Sequence, residues 1–169
     1  MSPVAARTSY IKCNTFAQGF DRADISMSNL LMIVDDRDDD CLLLAIMLRK
    51  LGVSNPIVKF ENGAEAIDYL AGRGKFADRQ AFPLPSVLFL DLIMPGTNGF
   101  DVLQWLKQHP CPEKCLILVV SELHALADLN KAYQLGATSF LSKPLNEAEF
   151  RECFRMFPDY WEFSNAKQL

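Results

Sequence analysis

Residues 30–44 read LLMIVDDRDDDCLLL, five aspartates around a single arginine with apolar runs on both sides. The LLMIV run is short and wholly apolar, as a strand covered on both faces requires. Beyond the acidic run, apolar side chains fall at Leu42, Leu43, Ile46, Met47 and Leu51, which is helical spacing, and Gly52 closes that helix. A buried strand that passes through charge into a helix is the first half of a βαβ unit. The charge divides with it. Asp35 and Asp36 end the strand. Asp38, Asp39 and Asp40 open the helix, where negative charge is favourable at the amino end. The expectation is that one of these three caps the helix and the others are solvated. Arg37 softens the repulsion between the two groups.

Working outward, the same alternation repeats. PIVKF (56–60) reads as a second strand and GAEAIDYLAG (63–72) as a helix closed by Gly72. SVLFLDL (86–92) is a third strand, and GFDVLQWLKQH (99–109) a helix stopped by Pro110. CLILVVS (115–121), ALADLNKAYQLG (125–136), TSFLS (138–142) and NEAEFRECFRMF (146–157) continue as strand, helix, strand and helix. Five strands alternating with five helices imply right-handed crossovers and one parallel sheet, a doubly wound α/β domain. The domain is expected over residues 28–157. Residues 1–27 show no sustained period and read as a poorly ordered extension. Residues 158–169 form a tail whose Tyr160, Trp161 and Phe163 are read as packing, with a dimer contact as the rival. The segment GRGKFADRQAFPLP (72–85) is long for a connection. It reads as a surface insertion slightly ahead of a partner-contact segment.

The 169 residues are 50% hydrophobic, enough for one ordinary core, and the net charge of −4 argues against a dedicated nucleic-acid binder. No apolar run is long enough to span a bilayer, and residues 1–26 contain no apolar signal-peptide core. Five cysteines, an odd number without a secretory signal, read as reduced thiols in the cytoplasm. Cys111 and Cys115 in CPEKC would make half of a zinc site, but no second Cys/His pair lies nearby. His109 and His124 sit in no apparent triad and read as surface residues.

In an open parallel sheet, ligands bind beyond the carboxyl ends of the strands. The residues due there are Asp35 and Asp36 after the first strand, Asp91 after the third, Ser121 at the end of the fourth and Lys143 after the fifth. Three close carboxylates call for a cation, and a hard ion such as Mg²⁺ suits a few carboxylates with water and phosphate. A lysine and a hydroxyl on the same rim suit an anionic group. An aspartate beside the metal can act as a nucleophile on phosphorus.

These residues resemble the receiver domain of two-component response regulators, the CheY-like family. The matching pieces are IVDD, LFLDLIMPGTNGFDVL, LVVSE and GATSFLSKPL, in the family's order, and they cover residues 29 to about 157. The insertion before the third strand, with VLQWL after it, is similar to single-domain regulators paired with bacterial phytochrome-like kinases. The resemblance implies a flavodoxin-like sheet of order 2-1-3-4-5. It implies Asp91 as phosphoacceptor for a sensor histidine kinase, and Mg²⁺ held by Asp36, Asp35, Asp91 and the backbone carbonyl of Ile93. It further implies Lys143 paired with the phosphoryl oxygens ahead of a cis Lys143–Pro144 bond. Ser121 would bond the phosphoryl group, and Phe140 would be the switch aromatic.

Three positions depart from the commonest family pattern. Ser121 stands where threonine is more frequent and keeps the hydroxyl. Phe140 lacks a tyrosine hydroxyl, so its switch would rest on packing. Glu122 stands where a small residue is usual, and it would hinder access, repel the anion or orient a water.

The function so implied is a stand-alone phosphorelay switch that presents an altered surface on its fourth helix, fifth strand and fifth helix. That surface would meet a downstream protein or a second copy of the chain. Two other classes compete. A pseudo-receiver would bind partners without phosphorylation, and the intact acidic, hydroxyl and lysine set counts against it. An aspartyl-phosphate hydrolase of the haloacid-dehalogenase kind would place a general acid/base two residues after the nucleophile. That position is Ile93, so only slow self-hydrolysis is expected.

Overall fold

The computed structural model describes residues 29–111, 115–122 and 126–164. The expectations for the extension at residues 1–27, for Cys13, for His124 and for residues 165–169 lie outside the described residues. Five strands, β1 (Leu31–Val34), β2 (Ile57–Phe60), β3 (Val87–Leu90), β4 (Leu116–Ser121) and β5 (Ser139–Ser142), form one sheet. They alternate with α1 (Asp38–Lys50), α2 (Gly63–Ala71), α3 (Gly99–Gln108), α4 (Leu126–Gln134) and α5 (Glu147–Met156). The strand order is β2-β1-β3-β4-β5 and every pair is parallel, the doubly wound arrangement expected.

The central strands are apolar throughout because both of their faces are covered. Leu31, Ile33, Val87, Phe89, Leu118 and Val120 pack against Cys41, Leu44 and Leu48 of α1 and Phe150, Cys153 and Phe154 of α5. Met32, Val34, Leu88, Leu90 and Val119 pack against Ala66, Tyr69 and Leu70 of α2 and Val102, Leu103 and Leu106 of α3. Such large buried side chains each contribute roughly 1.5–3 kcal/mol by leaving water.

Among the described residues, side chains cap α2, α3 and α5. Asn62 accepts from the Glu65 amide at α2, and Asn98 and Asp101 form a reciprocal capping box at α3. Asn146 accepts from the Ala148 amide at α5. The first helix differs from expectation. Its cap position is Arg37, which makes no side-chain cap bond, so none of Asp38, Asp39 and Asp40 caps α1. Two of those carboxylates are engaged by cations instead. Asp38 pairs with Lys59, a lysine of β2 that is itself buried, and Asp40 reaches Lys143 and Arg37.

The long connection after α2 is packed. It contains a 3-10 turn, Gly74–Phe76, and Phe76 is buried among Phe60, Tyr69 and Phe82. Arg79 donates to the carbonyls of Tyr69, Leu70 and Phe82, which ties the segment to the end of α2. The aromatic residues after α5 also pack. Trp161 is buried against Phe89 and Phe154, and Phe163 forms an isolated antiparallel bridge with Val53.

Candidate functional site

The strand register sets the site. Val34 lies opposite Leu90, so the next residue on each strand, Asp35 and Asp91, emerge side by side at the carboxyl edge. Ser121 ends β4 opposite Ser142, and Lys143 follows directly. The Lys143–Pro144 bond is cis, as the resemblance implies.

At this edge Asp91 is surrounded by donors. Its Oδ1 accepts from the Ser121 hydroxyl at 2.8 Å and from the Ile93 amide at 3.1 Å, and its Oδ2 accepts from Lys143 Nζ at 3.2 Å. Asp35 accepts from the Arg37 amide at 2.9 Å and from Lys143 at 2.6 Å. Asp35, Asp91 and Ser121 are buried, and the Lys143 side chain is only 7% exposed. Carboxylate oxygens of Asp35, Asp36 and Asp91 lie within 4.8 Å of one another, with Asp36 the most exposed of the three. Among the described residues this is the one group of three or more acidic, histidine or cysteine side chains placed to share a metal ion. Its donors are all hard carboxylate oxygens, which fit Mg²⁺ and not a soft metal. Cys111 and Cys115 gather no such set.

Burial and charge act against each other here. Burial raises the Asp35 carboxyl above its ordinary value, outweighing the bonds from Lys143 and the Arg37 amide. Burial would lower Lys143, but hydrogen bonds to Asp35 and Asp40, with the charges of Asp35 and Asp91, hold it above the ordinary lysine value. Burial also works to raise Asp40, yet Lys143 and then Arg37 hold its carboxyl below the usual range. Cys41, beneath the site, is pushed up to about 12 by burial and then by the Asp35 charge, so its thiol is inert.

The sequence reading placed Asp35, Asp36, Asp91, Ser121 and Lys143 on one rim, and the structure brings them together there. Ile93 meets Asp91 through its amide, while its side chain is exposed. Phe140 stands apart, half-buried on β5 against the core of the α2–α3 side. Asp40 is the residue the reading missed. Its Oδ2 lies 2.7 Å from Lys143 Nζ, so the helix-opening aspartates do not stay out of the site. Helical periodicity gives the face of α1 but does not by itself single Asp40 out. Asp40 lies one residue before buried Cys41 and three before Leu43, on the side of α1 that faces the rim. Glu122 is bridged to Arg37 at 3.2 Å. Gly99 was also missed. A Cβ there would collide with the backbone carbonyl of Asp91, so glycine lets the start of α3 close onto the chain just after β3.

Comparison with known proteins gives the same assignment. The model of the response regulator receiver domain matches residues 31–155. The chain is 25% identical over 146 residues to the probable methanogenesis regulatory protein FilR2 of Methanothrix harundinacea (strain 6Ac), covering 85% of this chain and 92% of that one. Among solved structures it is similar to response regulator RPA3017 in red light signaling of R. palustris, with a TM-score of 0.68 and 26% identity over 81% of this chain and 99% of that one. It is also similar to the bacteriophytochrome response regulator RtBRR, with a TM-score of 0.70 and 27% identity over 82% of this chain and 83% of that one. A buried aspartate bonded by a hydroxyl and a lysine, a metal-competent acidic pair beside it, and a match over most of the chain lead to one conclusion: the chain belongs to the response regulator receiver domain family.

Proposed function

We propose that this chain is a stand-alone phosphorelay switch that accepts a phosphoryl group on Asp91 from a phosphohistidine of a sensor histidine kinase. The observation that carries this reading is the set of bonds at Asp91, where Ser121, the Ile93 amide and Lys143 converge on one buried carboxylate. In the transfer an Asp91 oxygen forms the bond to phosphorus. The histidine N–P bond breaks, and its electron pair stays on the imidazole nitrogen. Lys143 and Ser121 already lie within hydrogen-bond distance of the acceptor. They need only shift from the carboxylate to the new phosphoryl oxygens. Mg²⁺, when held by Asp35, Asp36, Asp91 and the Ile93 carbonyl, would shield the charge that carboxylate and phosphoryl group bring together.

Ser121 and Phe140 would carry the change outward, the ring following the hydroxyl residue through packing alone. Leu126 and Tyr133 of α4 and Met156 of α5 are exposed apolar side chains, which supports a protein-contact or homodimer surface over α4, β5 and α5. Similarity to RPA3017 and RtBRR supports a phytochrome-like kinase as partner. Turnover would be slow self-hydrolysis, because Ile93 offers no acid or base where a hydrolase would need one. Acetyl phosphate with Mg²⁺ should add the mass of one phosphoryl group to the protein, and chelator should abolish the gain. Absence of any gain, together with no binding of beryllofluoride, would favour a phosphorylation-independent binding module. Continuous release of phosphate from several phosphoesters would favour a hydrolase.

A further inference from the structure

The residues proposed to act at Asp91 leave one neighbour without a role. An ammonium has three N–H bonds to give. In Lys143 they point to Asp35 at 2.6 Å, Asp91 at 3.2 Å and Asp40 at 2.7 Å. Asp35 and Asp91 belong to the acceptor site and its acidic pair. Asp40 comes from the first turn of α1, and the Oδ2 that accepts from Lys143 also pairs with Arg37. Arg37 in turn bridges Glu122 on the segment after β4. Lys143 is therefore fixed by one carboxylate that is not needed for phosphorus or metal. When a phosphoryl group arrives, Lys143 can exchange its Asp91 bond for a phosphoryl oxygen. The Asp40 bond need not break.

We propose that Asp40 is a positioning residue that holds the Lys143 ammonium in place beside Asp91, so that the lysine is oriented before the phosphoryl group arrives. The inference rests on the phosphoacceptor reading for its consequence, though not for the contact itself. Without Asp40 the ammonium keeps two anchors, and both are carboxylates that a metal would also draw upon. A lysine less firmly held gives a weaker site for a phosphoryl group even where the fold is unchanged. Asp39 supplies the control. It lies in the same helical turn, is exposed, and has no hydrogen bond or ion pair to Lys143. Removing it alters the charge at the start of α1 and leaves the lysine alone.

Two measurements on the full chain test this. In the first, beryllofluoride is titrated in the presence of Mg²⁺ into wild type, Asp40→Ala, Asp40→Glu and Asp39→Ala. Loss of one charge-assisted hydrogen bond should raise the dissociation constant of Asp40→Ala on the order of tenfold. Asp40→Glu should recover part of that loss, and Asp39→Ala should stay within about twofold. In the second, the rate of Lys143 acetylation by an N-hydroxysuccinimide acetate is followed by peptide mass spectrometry, without metal or beryllofluoride. Asp40→Ala should react several-fold faster at Lys143, and Asp39→Ala at the wild-type rate. If wild type binds no beryllofluoride while Lys143 in Asp40→Ala is unmasked, the phosphoacceptor reading falls and the positioning role stands. If Asp40→Ala, folded by circular dichroism, matches Asp39→Ala in acetylation rate, the proposal is overturned. Should Asp40→Ala fail to fold, Asp40→Asn, which keeps the shape and loses the charge, takes its place under the same criteria.

Discussion

Lys143 is the residue on which the apo site depends. Its ammonium is nearly buried and stands between Asp35 and Asp91, both buried. Removing one partner of a buried ion pair leaves the other charge uncompensated, at about 3–5 kcal/mol. Lys143→Met should therefore lower unfolding free energy by about that amount in chelator, measured by urea denaturation, and added Mg²⁺ should restore part of it. Asp35 gives a prediction of the opposite sign. Its folded-state carboxyl lies above the unfolded value, chiefly through burial. A raised carboxyl binds its proton more tightly when folded, so stability falls as pH rises through the interval between the two values. In chelator, Asp35→Asn should melt higher than wild type at neutral pH, and the difference should shrink on acidification below the ordinary carboxyl range. An Asp35→Asn protein that melts lower than wild type at neutral pH would mean that its bond to Lys143 outweighs the burial cost.

At the scale of elements, the strands and helices were legible because each carries one clean period. LMIV and VLFL carry no polar residue and LILVVS only its last, Ser121, and Gly72 and Pro110 mark helix ends without ambiguity. The start of α1 was not legible in the same way. Three adjacent aspartates look equivalent in sequence, yet the turn of the helix sends Asp38 to Lys59 and Asp40 to Lys143. Only the three-dimensional position of two lysines, one in β2 and one just after β5, distinguishes them. The reach of Gly99 to Asp91 was hidden for a similar reason, since a close approach between backbones leaves no periodic trace. The aromatic segment after α5 was legible in kind, as packing, but not in partner. Trp161 packs on Phe89 of β3 and Phe154 of α5, and its Nε1 is a buried nitrogen without a hydrogen-bond partner. Its stabilisation is therefore almost wholly apolar. Trp161→Ala should cost about 3–5 kcal/mol in denaturant titration. A loss under about 1 kcal/mol would mean that the segment is an adornment and not part of the domain.

At the scale of the whole molecule, the doubly wound sheet does one thing for function: it delivers residues distant in sequence to one edge. Asp35 and Asp91 meet through strand register, Ser121 and Lys143 through the next two strands, and Asp40 through the helix that follows β1. The acidic run at residues 35–40 is thus divided by geometry into metal-competent, lysine-holding and lysine-pairing members. The central claim is that Asp91, and no other carboxylate of this edge, takes the phosphoryl group. The most direct measurement is to phosphorylate the protein with acetyl phosphate and Mg²⁺, trap the acyl phosphate by borohydride reduction, and locate the reduced residue by peptide mass spectrometry. The account predicts reduction at position 91 in wild type and none anywhere in Asp91→Asn. Reduction at Asp35, Asp36 or Asp40, or labelling that survives in Asp91→Asn, would contradict it.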